Sequence, residues 1–245
     1  MPTQAMTNLE TAIQALDLTL HYDGRAALDQ VCLQVPTGAV VGLVGRNGAG
    51  KSTLLRCLVG LTLPGSGSSH LLGCASATLD DSTRGRIGYV SQTGDLLPWL
   101  KVWQHIAYIG SFYPRWQADR AHTLCQRLAL REDARVSALS VGDQQKLAVV
   151  MALAHDPDLL ILDEPVASLD PLARREFMRL LFDHDSTRQT PRTVLLSSHL
   201  LTDLERVVSH VVLLHEGRVR LQGAWDALQE QHQQALEDLF VSVSA

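Results

Sequence analysis

The sequence predicts an α/β protein: a mainly parallel sheet, an antiparallel β-subdomain at the N-terminal end, and a helical subdomain inserted further on. Three observations carry this. Val40 to Leu58, VVGLVGRNGAGKSTLLRCL, passes from an apolar run through a glycine-rich loop into Leu54, Leu55 and Leu58 at helical spacing, and so reads as strand, loop and helix. Asp158 to Glu164 and Thr193 to Ser198 are continuous apolar runs of strand length, as expected of strands buried on both faces. Between the glycine-rich stretch and these runs, from about Trp99 to Leu139, the chain turns helical and holds six of its twelve aromatic residues.

The elements follow in order. Ala12 to Tyr22 alternates, with Leu16, Leu18 and Leu20 opposed by Asp17, Thr19 and His21, which predicts a half-buried antiparallel strand. Asp23-Gly24 makes a turn into a second strand, Ala27 to Val35, and Pro36-Thr37-Gly38 turns into the strand at Val40. Pro64 to Ser69 reads as a loop, and Ile87 to Val90 as a strand that leaves Gln92 at its end. The expected partition is an antiparallel subdomain over about 12–38 and 68–90, a helical insert over about 95–155, a core over 39–63 and 156–225, and a tail over 226–245.

Within the insert, Trp103 and Phe112 are expected in its own core, and Trp99 and Tyr113, each beside a proline, on a surface that docks a partner. Ser140 is placed to cap a helix over Gln144 to Ala154 with Leu147, Val150, Met151 and Ala154 on one side. Pro171 to Leu181 predicts another helix, and Val211 to Leu214 with Arg218 to Leu221 a hairpin around Glu216-Gly217. A short helical tail is expected to end near Phe240.

At 245 residues, 46% hydrophobic and 19% charged, the composition is that of a globular α/β protein, here one domain with inserts. No apolar run reaches the roughly 20 residues that span a bilayer, and MPTQAMTNLETAIQ lacks the basic and apolar regions of a signal peptide, so a cytosolic location is expected. Cys32, Cys57, Cys74 and Cys125 are scattered without a CxxC pair and are expected to act as small core hydrophobes. A net charge of −5 opposes general nucleic-acid binding. Lysine is scarce, with only Lys51, Lys101 and Lys146, so Lys51 in the glycine loop is not a product of abundance.

That loop, Gly45-Arg46-Asn47-Gly48-Ala49-Gly50-Lys51-Ser52, fits the P-loop spacing. Its glycines let backbone amides crowd around a polyphosphate, and the next helix offers free N–H groups and a positive dipole end. Lys51 is expected to reach the terminal phosphates and the Ser52 hydroxyl to ligate Mg²⁺. The apolar strand ending in Asp163-Glu164 puts two acids at the mouth of the sheet. Asp163 can hold Mg²⁺ through water while Glu164 polarises an attacking water. Tyr22 stands at a strand end, where stacking on a purine and a half-exposed ring without a ligand are both open.

These motifs, in order and over nearly the whole chain, resemble the nucleotide-binding subunits of ABC transporters. GRNGAGKS stands as Walker A, Gln92 as the Q-loop, LSVGDQQ as the signature and LLILDE as Walker B, with Ala167-Ser168-Leu169-Asp170 as the D-loop and Ser198-His199 as the switch histidine. The resemblance implies a P-loop NTPase (RecA-like) core and an ATPase that powers a membrane permease by closing as a dimer. It implies an ATP-binding set of Tyr22, Gly45, Asn47, Gly48, Ala49, Gly50, Lys51, Ser52 and Thr53, with Tyr22 stacking on adenine. It implies a catalytic set of Glu164, His199, Gln92 and Asp170, and Mg²⁺ near Ser52, Gln92 and Asp163. Ser140, Val141, Gly142 and Asp143 of one subunit are implied to close head-to-tail over ATP on the other, most simply in a homodimer at the inner face of a membrane. Phe112-Tyr113-Pro114-Arg115-Trp116, Arg174-Arg175-Glu176-Phe177 and Leu236-Glu237-Asp238-Leu239-Phe240 look like bacterial exporter subunits.

One departure stands out. The family usually has Leu-Ser-Gly-Gly-Gln where this chain has Leu139-Ser140-Val141-Gly142-Asp143. A carboxylate about 7 Å from a γ-phosphate would cost roughly 2 kcal/mol per unit charge at an effective dielectric near 20. Alternatively Asp143 points away and favours the first helical turn through the dipole. Two rival readings remain at this stage. A soluble ABC ATPase acting on nucleic acid would need a second nucleotide domain, a coiled coil or a basic face. A regulatory nucleotide binder with little catalysis is opposed by Lys51, Asp163, Glu164 and His199.

Overall fold

The computed structural model describes residues 11–92, 95–182, 191–198 and 207–232. His199, the segment Leu236 to Phe240 and the end of the predicted tail helix lie outside them. Strands β1 (Thr11–Tyr22) and β2 (Arg25–Pro36) pair antiparallel around Asp23-Gly24, both at positive φ (48° and 79°), the backbone that a two-residue hairpin matched to strand twist requires. The alternation along β1 is broken: Ile13 and Ala15 are buried, then Leu18 and Leu20, while Leu16 is exposed. Asp17, at φ 50°, sits in an irregularity between Ala15 and Leu18 that moves the inward positions from odd to even numbers.

β4 (Ser66–Leu71), in the segment read as a loop, pairs with β1 from Ile13↔Leu71 to Thr19↔Ser66. Its Ser-Gly-Ser-Ser sequence has poor strand preference, and pairing to a buried neighbour overrides it. With the short β5 (Cys74–Ala75) the sheet runs β2-β1-β4-β5.

The second sheet contains β3 (Val40–Val44), β6 (Ile87–Val90), β7 (Leu159–Asp163), β8 (Thr193–Ser198), β9 (His210–His215) and β10 (Arg218–Ala224), in the order β10-β9-β3-β8-β7-β6. All its pairings are parallel except the β9–β10 hairpin. Ile87–Val90, grouped with the antiparallel region in the sequence reading, is instead the edge of this sheet beside β7.

Helix α1 (Lys51–Leu58) follows β3 and lies between the two sheets. Along the central strands, successive residues face two separate cores. Leu159, Ile161 and Leu195 pack with α1 and the antiparallel sheet; Leu160, Leu162, Val194 and Leu196 pack with the helical insert. The period of two in each strand therefore builds both bodies at once.

After the single turn of α2 (Asp81–Arg84), the insert is formed by α3 (Val102–Gly110), α4 (Ala118–Arg127) and α5 (Val141–Leu153). Helix α5 is buried on several sides, with Gln145, Val149 and Ala152 inside as well as Leu147 and Val150, rather than along one stripe. It starts at Val141 and so includes the signature residues.

The aromatic expectations are partly reversed. Trp99 is 66% exposed, as expected of a docking surface, but Trp103 and Phe112 are exposed too, at 50% and 65%. Helical phase explains Trp103: α3 buries Val102, His105, Ile106 and Gly110, which turns Trp103 and Tyr108 outward. Tyr113, expected at the surface, instead stacks its ring on buried His155 at 4.4 Å, and burial pushes its phenol pKa up. Of the cysteines, Cys57 and Cys125 are in the cores, whereas Cys32 is exposed and Cys74 half-buried. The chain continues through α6 (Pro171–Phe182) and α7 (Trp225–His232). Among the described residues, no helix is long and apolar enough to cross a membrane.

Candidate functional site

The parallel strands end together. Register pairs Val44 with Ser198 and Asp163 with Ser197, so the exits of β3, β8 and β7 form one rim. Ligands gather at such a carboxyl edge because the loops diverge there and leave a crevice.

From β3 the loop Gly45 to Gly50 wraps back to α1. Gly50 is the residue before the helix, at φ 102°, and a Cβ there would stand 2.5 Å from the Ala27 carbonyl oxygen. Gly45 is equally confined, with a Cβ position 2.6 Å from the Leu214 carbonyl. The Gly217 amide donates to the Ala49 carbonyl (3.0 Å), so the β9–β10 turn braces the loop from outside. The start of α1 has no side-chain cap, which leaves first-turn N–H groups for an anion.

Lys51 is 7% exposed, and its Nζ donates to the Gly45 carbonyl at 2.7 Å. It also lies 3.4 Å from Glu164 Oε1, whose side chain is equally buried. Glu164 follows β7 in a left-handed conformation, φ 49°, and its amide donates to Ser197 Oγ at 2.9 Å. The Ser197 hydroxyl donates in turn to Asp163 Oδ1 at 2.7 Å. One buried serine therefore fixes both acids, a role that sequence reasoning did not assign; its signal is a pair of hydroxyls ending an otherwise apolar strand. The second Asp163 oxygen has no hydrogen bond among the described residues.

The other predicted residues fall in two groups. Ser52 and Thr53 lie in the first turn of α1, and Asn47, Gly48 and Ala49 in the loop itself. Gln92 is exposed two residues beyond β6, and Tyr22 is half-exposed at the end of β1. The second group is built on α5. Ser140 caps that helix by accepting from the Asp143 amide at 3.1 Å, while its hydroxyl donates to Asp143 Oδ2 at 2.8 Å. Asp143 Oδ1 accepts from Lys146 Nζ at 2.9 Å. Burial raises the Asp143 pKa, but the hydrogen bonds from Lys146 and Ser140 outweigh it and hold the carboxyl below its ordinary value.

Asp143 is therefore turned onto Ser140 and Lys146 of its own helix, a pairing that neither sequence alternative named. Val141 is exposed beside it. Gly142 abuts the D-loop, since a Cβ there would stand 2.7 Å from the Ser168 carbonyl oxygen. Asp170 caps α6, its Oδ1 accepting from the amides of Leu172 and Ala173 at 2.9 and 3.0 Å.

A parallel sheet that opens through a glycine loop onto an uncapped helix, with paired acids on the neighbouring strand exit, defines a P-loop nucleoside triphosphatase. The chain belongs to the ABC transporter family, whose pattern matches residues 28–167, and it is an ATP-binding ATPase subunit of that family. It is 30% identical over 231 residues, 94% of this chain and 75% of the other, to the bacitracin transport ATP-binding protein BcrA of Bacillus licheniformis. To the aliphatic sulfonates import ATP-binding protein SsuB of Pectobacterium atrosepticum it is 39% identical over 84% of this chain and 76% of the other. A solved structure described as the ATP binding subunit of an ABC transporter superposes with a TM-score of 0.86 at 30% identity, over 96% of this chain and all of the other. The chain is also 36% identical, over 86% of its length and 70% of the other, to the Nod factor export ATP-binding protein I of Cupriavidus metallidurans, so import and export are both represented among its relatives.

Proposed function

We infer that this chain hydrolyses Mg²⁺-ATP as one of two like subunits that close head-to-tail over the nucleotide and drive an exporter permease at the inner face of a membrane. The observation that carries the reading is the buried Lys51–Glu164 contact on the rim where Asp163 is held by Ser197. A triphosphate entering the loop offers Lys51 a stronger partner than a single carboxylate, because it carries more charge and can take the ammonium's hydrogen bonds. Glu164 is then released beside the terminal phosphate, where it can accept a proton from an attacking water.

Mg²⁺ fits the donors present: the Ser52 hydroxyl, the Asp163 carboxylate and the Gln92 amide oxygen are hard ligands of the kind it takes alongside phosphate and water. When bound it neutralises charge on the phosphates. Tyr22, exposed at the end of β1, is the ring proposed to stack on adenine, and His199 the group proposed at the γ-phosphate.

The head-to-tail arrangement is supported by the distribution of parts. Two helix starts suited to phosphate, α1 and α5, occur in a chain with one glycine loop, and α5 presents Ser140 and Val141 outward. The exposed Trp99, Trp103 and Phe112 supply an apolar surface for the permease. Export is supported by the subfamily residues and by likeness to the Nod factor export ATP-binding protein I.

The test is phosphate release and Mg²⁺-dependent ATP binding by the purified chain and by Glu164→Gln. Binding is expected to persist in the variant while turnover falls at least a hundredfold. Turnover insensitive to this change removes Glu164 from the chemistry. Co-purification then identifies the permease, and vesicle transport with that permease gives the direction.

A further inference from the structure

The signature of this chain spends its own donor. Ser140 has one hydroxyl proton, and it is given to Asp143 Oδ2 at 2.8 Å, while its oxygen already accepts from the Asp143 amide. A phosphate arriving at this helix start competes with that carboxylate for the hydroxyl, and it meets a negative charge at the same place. Among the described residues one cation is in hydrogen-bond contact with that charge: Lys146, one turn along α5, 2.9 Å from Asp143 Oδ1 and 13% exposed. The positive charge of Lys146 also favours the ionised Asp170 carboxylate, whose own charge disfavours ionised Asp143. Gly142, under the Ser168 carbonyl, packs the α5 start against the D-loop, and the partly buried Lys146 ammonium is hydrogen-bonded to Asp143.

We propose that Lys146 is a positioning residue for the ATP-bound dimer: it neutralises Asp143 and draws its carboxylate along α5, so that the Ser140 hydroxyl and the first α5 amides can turn to phosphate. The proposal rests on the head-to-tail reading above. Without Lys146 the carboxylate, which already holds the Ser140 hydroxyl, faces the triphosphate uncompensated. At about 7 Å and an effective dielectric near 20, one full charge weakens closure on the order of fiftyfold. Within each subunit, nucleotide binding at α1 lies outside this effect.

The experiment measures the concentration of a non-hydrolysable ATP analogue that half-dimerises the purified chain. Alongside it, fluorescent-nucleotide affinity is measured at protein concentrations too low for dimers, and kcat and KM for ATP at high protein concentration. Lys146→Met is expected to raise the dimerising concentration at least tenfold and to lower kcat, with monomer affinity unchanged within twofold. Lys146→Arg is expected to restore wild-type behaviour. Asp143→Asn is expected to rescue Lys146→Met, which a merely structural role for the lysine stem would not allow. A Lys146→Met chain that dimerises like wild type, or one that Asp143→Asn fails to rescue, overturns the proposal. A wild-type chain that stays monomeric with saturating nucleotide overturns the head-to-tail reading itself and the proposal with it.

Discussion

Two helices in this molecule begin where phosphate is expected, and they begin differently. Helix α1 is preceded by Gly50 in a left-handed conformation with no side-chain cap, and its first turn is left to whatever enters the loop. Helix α5 is preceded by Ser140, which satisfies the Asp143 amide and is itself held by the Asp143 carboxylate. Backbone donors within a fold are nearly always paired, so an uncapped start braced by surrounding carbonyls points to a partner from outside. A self-capped start is stable alone and has to be opened. The contrast teaches that one helix start is left open for a ligand, while the other is already satisfied by its own side chains.

The largest expected effect tests the first half of that contrast. Lys51→Ala removes the one buried ammonium from the loop and leaves Glu164 buried without it, so ATP affinity measured by calorimetry should fall on the order of a hundredfold or more. Next comes Gly50→Ala. A Cβ at φ 102°, aimed at the Ala27 carbonyl, should cost about 2–3 kcal/mol in urea unfolding and abolish nucleotide binding; an alanine variant with full affinity would mean the loop is not braced as described.

Ser140→Ala should behave unlike either. Loss of the cap is expected to cost about 1 kcal/mol, with nucleotide binding by the monomer kept and dimer formation weakened. If monomer affinity drops as well, the two helix starts are not independent. The smallest effect is on pH dependence. The Asp143 pKa is lower in the folded chain than in the unfolded one, so its contribution to stability is complete above the ordinary carboxylate range near pH 4. That contribution disappears as pH falls through the folded value. Asp143→Asn should lower stability at neutral pH by that contribution and flatten that part of the acid-unfolding curve.

What the sequence shows of this site is what is local in it. The glycine loop, the acids ending β7 and the serine before α5 lie within short runs whose spacing dictates backbone shape. Ser197 is different: its contact with Asp163 joins positions 34 apart along the chain through the register of two parallel strands, and the hydroxyls that end β8 do not by themselves name that partner. The Asp143–Lys146 pair lies within one turn, yet residue types alone leave open whether the carboxylate faces solvent, phosphate or lysine. Strand β4 was illegible because its serines and glycine form a strand only against β1. Trp103 and Phe112 misled because aromatic content suggests a core, while the phase of α3, set by Val102, His105 and Ile106, decides which rings turn inward.

The alternation along β7 and β8 has a longer reach than packing. Because Leu160 and Ile161, adjacent in the chain, belong to different cores, a lineage could rebuild everything on the insert side without disturbing the residues that steady the phosphate cradle. Inheritance of the motor and adaptation to a new membrane companion are thereby separated by nothing more than the parity of a residue's position.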